Sequence, residues 1–166
     1  MANEWTYGSE VDLTNGGGDD LTGALILSAL PAALFEIEIF MTDVSWASNN
    51  TEVVLQLGDS NEVYNTGYES AAVNGSTPSG NETTGITSAL ASATDAGDVT
   101  TGMFRVYRWC DGGLRWLVDY FGLEHSTGLR YAFGGRALVS EITQIKITSP
   151  GEVALIDGGV AIGRYR

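Results

Sequence analysis

Val53-Val54-Leu55-Gln56-Leu57-Gly58-Asp59-Ser60, followed at Thr66-Gly67-Tyr68 by a second restart, is the stretch whose reading decides the fold. An apolar run that stops at Gly-Asp and soon restarts reads as strand, tight turn and short strand. The same punctuation recurs in both directions. Phe35–Thr42 places Phe35, Ile37, Ile39 and Met41 on one face and Glu36, Glu38 and Thr42 on the other, the period-2 signature of a half-buried strand. Met103–Trp109 and Leu114–Phe121 flank Asp111-Gly112-Gly113, a hairpin signal that predicts Trp109 and Trp116 near each other. Further strands are expected at Leu129–Phe133, Ile142–Thr148, Val153–Ile156 and Val160–Tyr165, separated by Gly134-Gly135, Pro150-Gly151 and Asp157-Gly158-Gly159. Thr66–Ser70 adds a short one. About eight to ten short strands at this spacing, with no amphipathic helix of three turns, predict an all-β, antiparallel β-sandwich of jelly-roll type.

A chain of 166 residues is one domain able to bury a core without staples. Cys110 is the sole cysteine, so no intrachain disulfide forms and stability rests on packing. The start of the chain shows no basic stretch followed by an apolar one, so no secretion signal is expected. The apolar patch Ala24–Phe40 is broken by Pro31, Glu36 and Glu38, short of a membrane span. Residues 1–23 read as a polar N-terminal arm and 24–166 as a single β-sandwich domain. Within it, residues 71–101 are mostly Ser, Thr, Ala, Gly and Asn, and predict a long irregular loop with one short helix near Thr87–Ala93.

Charge is segregated along the chain. Met1–Phe104 holds fifteen Asp and Glu and no Lys or Arg, whereas all eight basic residues follow it, against six acids: −15 plus +2 gives the net −13. Such a chain is repelled by nucleic acid and by anionic membrane, so neither is an expected partner. Seven of the eight basic residues are Arg, whose forked, planar contacts suit protein interfaces.

Motifs for chemistry are sparse. His125 and Ser126 lack a nucleophile elbow, and one His with one Cys falls short of a zinc ligand set. Cys110 beside Trp109 has no second His to activate it. Asp111, Asp119 and Glu124 stand near Trp116, Tyr120 and Phe121, the residue types of a glycoside hydrolase cleft, but alternating aromatics on strands are more often core and interface than a sugar platform. The oxygen-rich stretches Asn15–Asp20 and Gly58–Glu62 do not match a calcium loop. Sequons at Asn49, Asn74 and Asn81 would stay unmodified in a bacterial cytoplasm. No enzyme activity, cofactor or metal is expected.

Together with Leu30-Pro31 and Ile37-Glu38-Ile39-Phe40-Met41, the Val53–Tyr68 stretch resembles a β-sandwich module of tailed-bacteriophage virion proteins, which reads "LPA…I.I…VS…VQLGDS…TGY" and closes in an Asp-Gly-rich hairpin like Ile156-Asp157-Gly158-Gly159-Val160. The resemblance runs from about Ala24 to Arg166 and lapses around Gly75–Thr101. It implies a non-enzymatic structural protein on the virion surface, assembled in the bacterial host cytoplasm. Because no shaft or anchoring domain accompanies the module, a capsid decoration or cement protein is expected, a homotrimer bound to the major capsid protein, with residues 1–23 and 71–101 clamping the shell. The alternatives are a tail or tail-fibre component for host adhesion, and a carbohydrate-binding module for host surface polysaccharide. Candidate partner or glycan contacts are Trp109, Trp116, Tyr120, Arg105, Arg108 and Arg115.

Overall fold

Alternating apolar residues need a sheet to bury one face, and the regular elements among the described residues are strands. The computed structural model describes residues 4–15, 19–20, 23–47, 52–74, 77–79, 83–88, 99–109, 114–124, 128–150 and 156–166. Its strands are β1 (Thr6–Asp12), β2 (Thr14–Asn15), β3 (Asp19–Asp20), β4 (Gly23–Leu27), β5 (Glu36–Trp46), β6 (Val54–Gly58), β7 (Glu69–Asn74), β8 (Thr77–Ser79), β9 (Ile86–Thr87), β10 (Thr100–Arg108), β11 (Arg115–Glu124), β12 (Gly128–Ala137), β13 (Gln144–Thr148) and β14 (Ile156–Tyr165). Eight form one sheet in the order β1-β14-β5-β10-β11-β12-β7-β8, four form a second in the order β4-β13-β6-β9, and β2-β3 is a short ribbon. The ladders are antiparallel, as in the β10–β11, β11–β12 and β14–β5 pairs. The chain is thus all-β, as its alternation predicts. Within the large sheet β10, β11 and β12 lie side by side as a meander at its centre.

The two sheets share one core. Ile37, Ile39, Phe104, Val106, Trp116, Val118 and Tyr120 of the large sheet cluster with Leu55, Leu57, Ile145 and Ile147 of the small one, all fully buried. Glycines set how closely the layers approach. A Cβ on Gly163 of β14 would lie 2.5 Å from the Leu27 side chain of β4, and one on Gly134 of β12 would lie 2.6 Å from Ile86 of β9.

The deciding stretch builds a corner. β6 ends at Gly58, and Asp59 turns the chain by accepting the Asn61 N–H at 2.8 Å and the Tyr64 hydroxyl at 2.7 Å, while its own carbonyl accepts from Gln144 Nε2 at 2.6 Å. Burial pushes the Asp59 carboxyl up, but the hydrogen bonds it accepts, led by those from Asn61 and Tyr64, together outweigh it and the net shift is downward. The Tyr68 hydroxyl accepts from Leu57 N–H at 2.6 Å and contacts the Tyr64 carbonyl at 3.0 Å, tying the restart back to β6; burial pushes its pKa up. Arg136 of β12 stacks on both rings, 4.1 Å from Tyr64 and 5.2 Å from Tyr68. Gly67 takes φ +75° directly beneath that guanidinium, where a Cβ would lie 2.7 Å from Nη1.

Several expectations change. Part of the stretch read as a polar arm is β1, the edge of the large sheet paired to β14, and Leu13 after it is fully buried. Asp157-Gly158-Gly159 does not turn a hairpin: β14 runs through it, bulging against β5, with Gly159 at φ +99° and Ser45 Oγ donating to Asp157 Oδ1 at 2.5 Å. Gly134-Gly135 likewise lies inside β12. Phe35 is exposed and does not share the buried face of Ile37, because β5 begins one residue later. The restart after Gly67 spans Glu69–Asn74 as β7, so the small-residue stretch contains strand at its start, at Thr77–Ser79 and at Ile86–Thr87. The expected Thr87–Ala93 helix lies mostly outside the described residues, and Cys110, Asp111, His125, Ser126 and the Val153–Leu155 part of an expected strand lie wholly outside them.

Candidate functional site

The core-facing residues of the large sheet leave an alternate set pointing outward, and no described element covers it. In register across the sheet, Ile162, Phe40, Met103, Phe121 and Tyr131 form one row. Arg164, Glu38, Arg105, Asp119 and Phe133 form the next. Leu123 and Leu129 lie beyond the first row, Leu117 and Gly135 beyond the second.

Apolar exposure concentrates on β11 and β12: Phe121 is 54% exposed, Leu123 58%, Leu129 55%, Tyr131 47% and Phe133 42%. At about 200 Å² for a whole side chain of this size, they leave about 500 Å² in solvent. That is at the upper end of the apolar patch a monomer normally tolerates. Phe121 stands opposite Tyr131 and Leu123 opposite Leu129, so the exposed groups are cross-strand neighbours and form one patch.

The charges on this face are matched. Arg105 Nη2 reaches Asp119 Oδ2 at 3.0 Å, Arg164 Nε reaches Glu38 Oε2 at 2.6 Å, Arg166 Nε reaches Glu36 Oε2 at 2.9 Å, and Arg115 Nη2 lies 3.4 Å from Glu69 Oε2. The hydrogen bond to Asp119 holds Arg105 above the usual arginine range, and bonds to Tyr7 and Glu38 do so for Arg164. Burial, with Asp119 nearby, pushes the Tyr107 hydroxyl up. Three of these four pairs join the acid-only half of the chain to the basic half. The topology does this by placing β5 beside β14, which pairs Arg164 and Arg166 with Glu38 and Glu36, and β7 beside β12, which brings Glu69 within reach of Arg115, so a chain of net charge −13 presents a face on which each of these four arginines has a carboxylate.

The expected contact residues divide by their place on the pleat. Trp116 and Tyr120 are corrected: both are fully buried and offer no ring to a partner or glycan. Tyr120 packs 4.7 Å from Phe104, and its hydroxyl end fits beneath Gly102 and Gly122, where a Cβ would collide with it. Trp109 is half-exposed and aligned by its N–H to the Arg115 carbonyl at 2.9 Å, one position on from Trp116, so the two indoles take opposite faces. Arg105 and Arg115 lie on the outer face. Arg108 lies over the Trp116 ring at 5.9 Å and donates to Glu141 at 2.8 Å. The residues missed from sequence are Leu123, Leu129, Tyr131 and Phe133, which join Phe121; the signal was that three of the five outward positions of β11, Leu117, Phe121 and Leu123, are apolar beside Arg115 and Asp119, where a solvated sheet face would be polar.

Among the described residues, no group of three or more His, Cys, Asp or Glu is placed to hold a metal ion, and no helix is long and apolar enough to cross a membrane. What the arrangement can do is bury a neighbour against an aromatic, charge-matched sheet. Comparison with known proteins adds no relative: no family model, no curated protein and no solved structure matches this chain.

Proposed function

We propose that the protein is a non-enzymatic structural protein on the outside of a tailed-phage particle, a capsid decoration or cement protein that binds the shell as a homotrimer. The observation that carries the reading is the outer face of the large sheet, with five half-exposed apolar side chains clustered on β11 and β12 beside paired arginines. A structural contact needs an apolar centre that excludes water and a rim whose charges already have partners. Desolvating an unpaired arginine would oppose docking, whereas the Arg105–Asp119 and Arg164–Glu38 pairs enter an interface with their partners in place. The phage setting comes from the sequence resemblance, and the outer face supplies the surface by which such a protein holds its neighbour.

The test is co-sedimentation of the purified protein with particles that lack it. Wild type is expected to pellet with the shells, and the double variant Phe121→Ser/Tyr131→Ser, altered only at half-exposed positions, is expected to remain in the supernatant while melting near the wild-type temperature. Equal pelleting of both proteins would overturn the role of this face.

A further inference from the structure

A groove of about 420 Å³ opens on the same sheet face, at the end away from Leu123 and Leu129. Its floor is the place where β12 has no side chain. Gly135 stands in register between Leu117 of β11 and Glu69 of β7, and a Cβ there would lie 2.6 Å from the Trp116 carbonyl and 3.0 Å from Leu117. Glycine therefore keeps the floor at the level of the backbone, as a site of close approach requires. Trp109 and Phe133, both half-exposed, contribute aromatic surface to the lining. Arg115 reaches across β12 toward Glu69 with 3.4 Å between Nη2 and Oε2, and both side chains stay open to solvent. The guanidinium has five N–H donors and the carboxylate about four acceptor sites, so one contact leaves most of this capacity unused.

We infer that this groove binds a neutral hexopyranose, a glucose-, galactose- or mannose-configured sugar within a glycan. A pyranose is the small molecule with an apolar C–H face on one side and a rim of hydroxyls that both donate and accept. The first matches an indole or phenyl surface, and the second matches an Arg–carboxylate pair held side by side. Other occupants fit less well. A phosphorylated ligand would meet the Glu69 carboxylate and a chain of net charge −13. A purely apolar side chain would cover the Arg115–Glu69 pair without using it. The inference stands apart from shell binding, because the groove and the apolar patch occupy different ends of the sheet and share only Phe133.

The experiment uses the whole chain and three probes, the methyl pyranosides of glucose, galactose and mannose, titrated to millimolar concentration while the indole N–H signals of the four tryptophans are followed by NMR. One signal, absent in Trp109→Ala, is expected to shift saturably with at least one sugar. Arg115→Ala should weaken that binding about tenfold, equivalent to about 1.4 kcal/mol. Trp5→Phe, away from the groove, should leave it unchanged. Each altered side chain is partly exposed, and a thermal melt confirms that the variants fold. No saturable shift with any of the three sugars would overturn the inference, as would wild-type affinity in Trp109→Ala. Shell pelleting by Trp109→Ala should match wild type, so failure of sugar binding is distinguishable from failure of the virion reading.

Discussion

Trp109 and Trp116 flank the same hairpin, yet their replacement by alanine should have very different consequences. Trp116 is fully buried among the core residues of both sheets. Its indole N–H has no hydrogen-bond partner among the described residues, so truncation removes packing and leaves a cavity without stranding a polar group. A buried tryptophan truncated to alanine costs about 3–5 kcal/mol. In a chain of this size each kcal/mol lowers the melting temperature by about 2–4 °C, so Trp116→Ala should melt roughly 10 °C below wild type. Trp109 is 46% exposed and supports no layer of the core, so its truncation should cost about 1 kcal/mol or less. Thermal melts and urea titrations of the two variants beside wild type decide the matter. Equal losses, or a larger loss for Trp109→Ala, would refute the assignment of the two indoles to opposite faces of the sheet.

Gly134→Ala should destabilise by about 1–3 kcal/mol in urea titration, because the new methyl meets the Glu69 carbonyl at 2.5 Å and Ile86 at 2.6 Å between the sheets; a neutral result would contradict the close layer packing at β9. Asp59 should make stability depend on acid. Its folded pKa is depressed, so its contribution is fully present above the unfolded carboxylate value, about 3.9, and is lost as pH falls through the lower folded value. The melting-temperature gap between wild type and Asp59→Asn should therefore be widest near neutrality and close on acidification, and a gap independent of pH would rule this out. Gly67→Ala should be strained both by its φ of +75° and by contact with Arg136, lowering the melting temperature more than Gly128→Ala, where φ is also positive but no atom lies within 4 Å.

Fold class was legible because Ile37, Ile39 and Met41, and likewise Phe104 and Val106, alternate with polar or half-buried neighbours, and period 2 admits few other readings. Glycine was the harder letter. Gly134-Gly135 and Gly158-Gly159 look like turns, but they sit inside β12 and β14, where they admit Ile86 and Val44 rather than reverse the chain. Edge strands were also hidden. β1 is mostly exposed, and β7 opens with Glu69 followed by Ser70, Ala71 and Ala72, so neither carries a strong apolar signal. Of the candidate contacts, Trp116 and Tyr120 were misplaced because an aromatic residue gives no indication of which face of the pleat it occupies until the register is known. The apolar outer patch could be suspected from Phe121 and Leu123 flanking Gly122, but joining them to Leu129, Tyr131 and Phe133 required the β11–β12 register.

The proposed virion reading is tested most directly by counting this protein, by quantitative mass spectrometry against the major shell protein, in washed particles of a tailed phage whose genome carries its gene. The account predicts a copy number comparable with that of the shell protein. A handful of copies per particle would place the chain in the tail or a fibre, contrary to a decoration role, and its absence from washed particles would contradict the virion reading altogether.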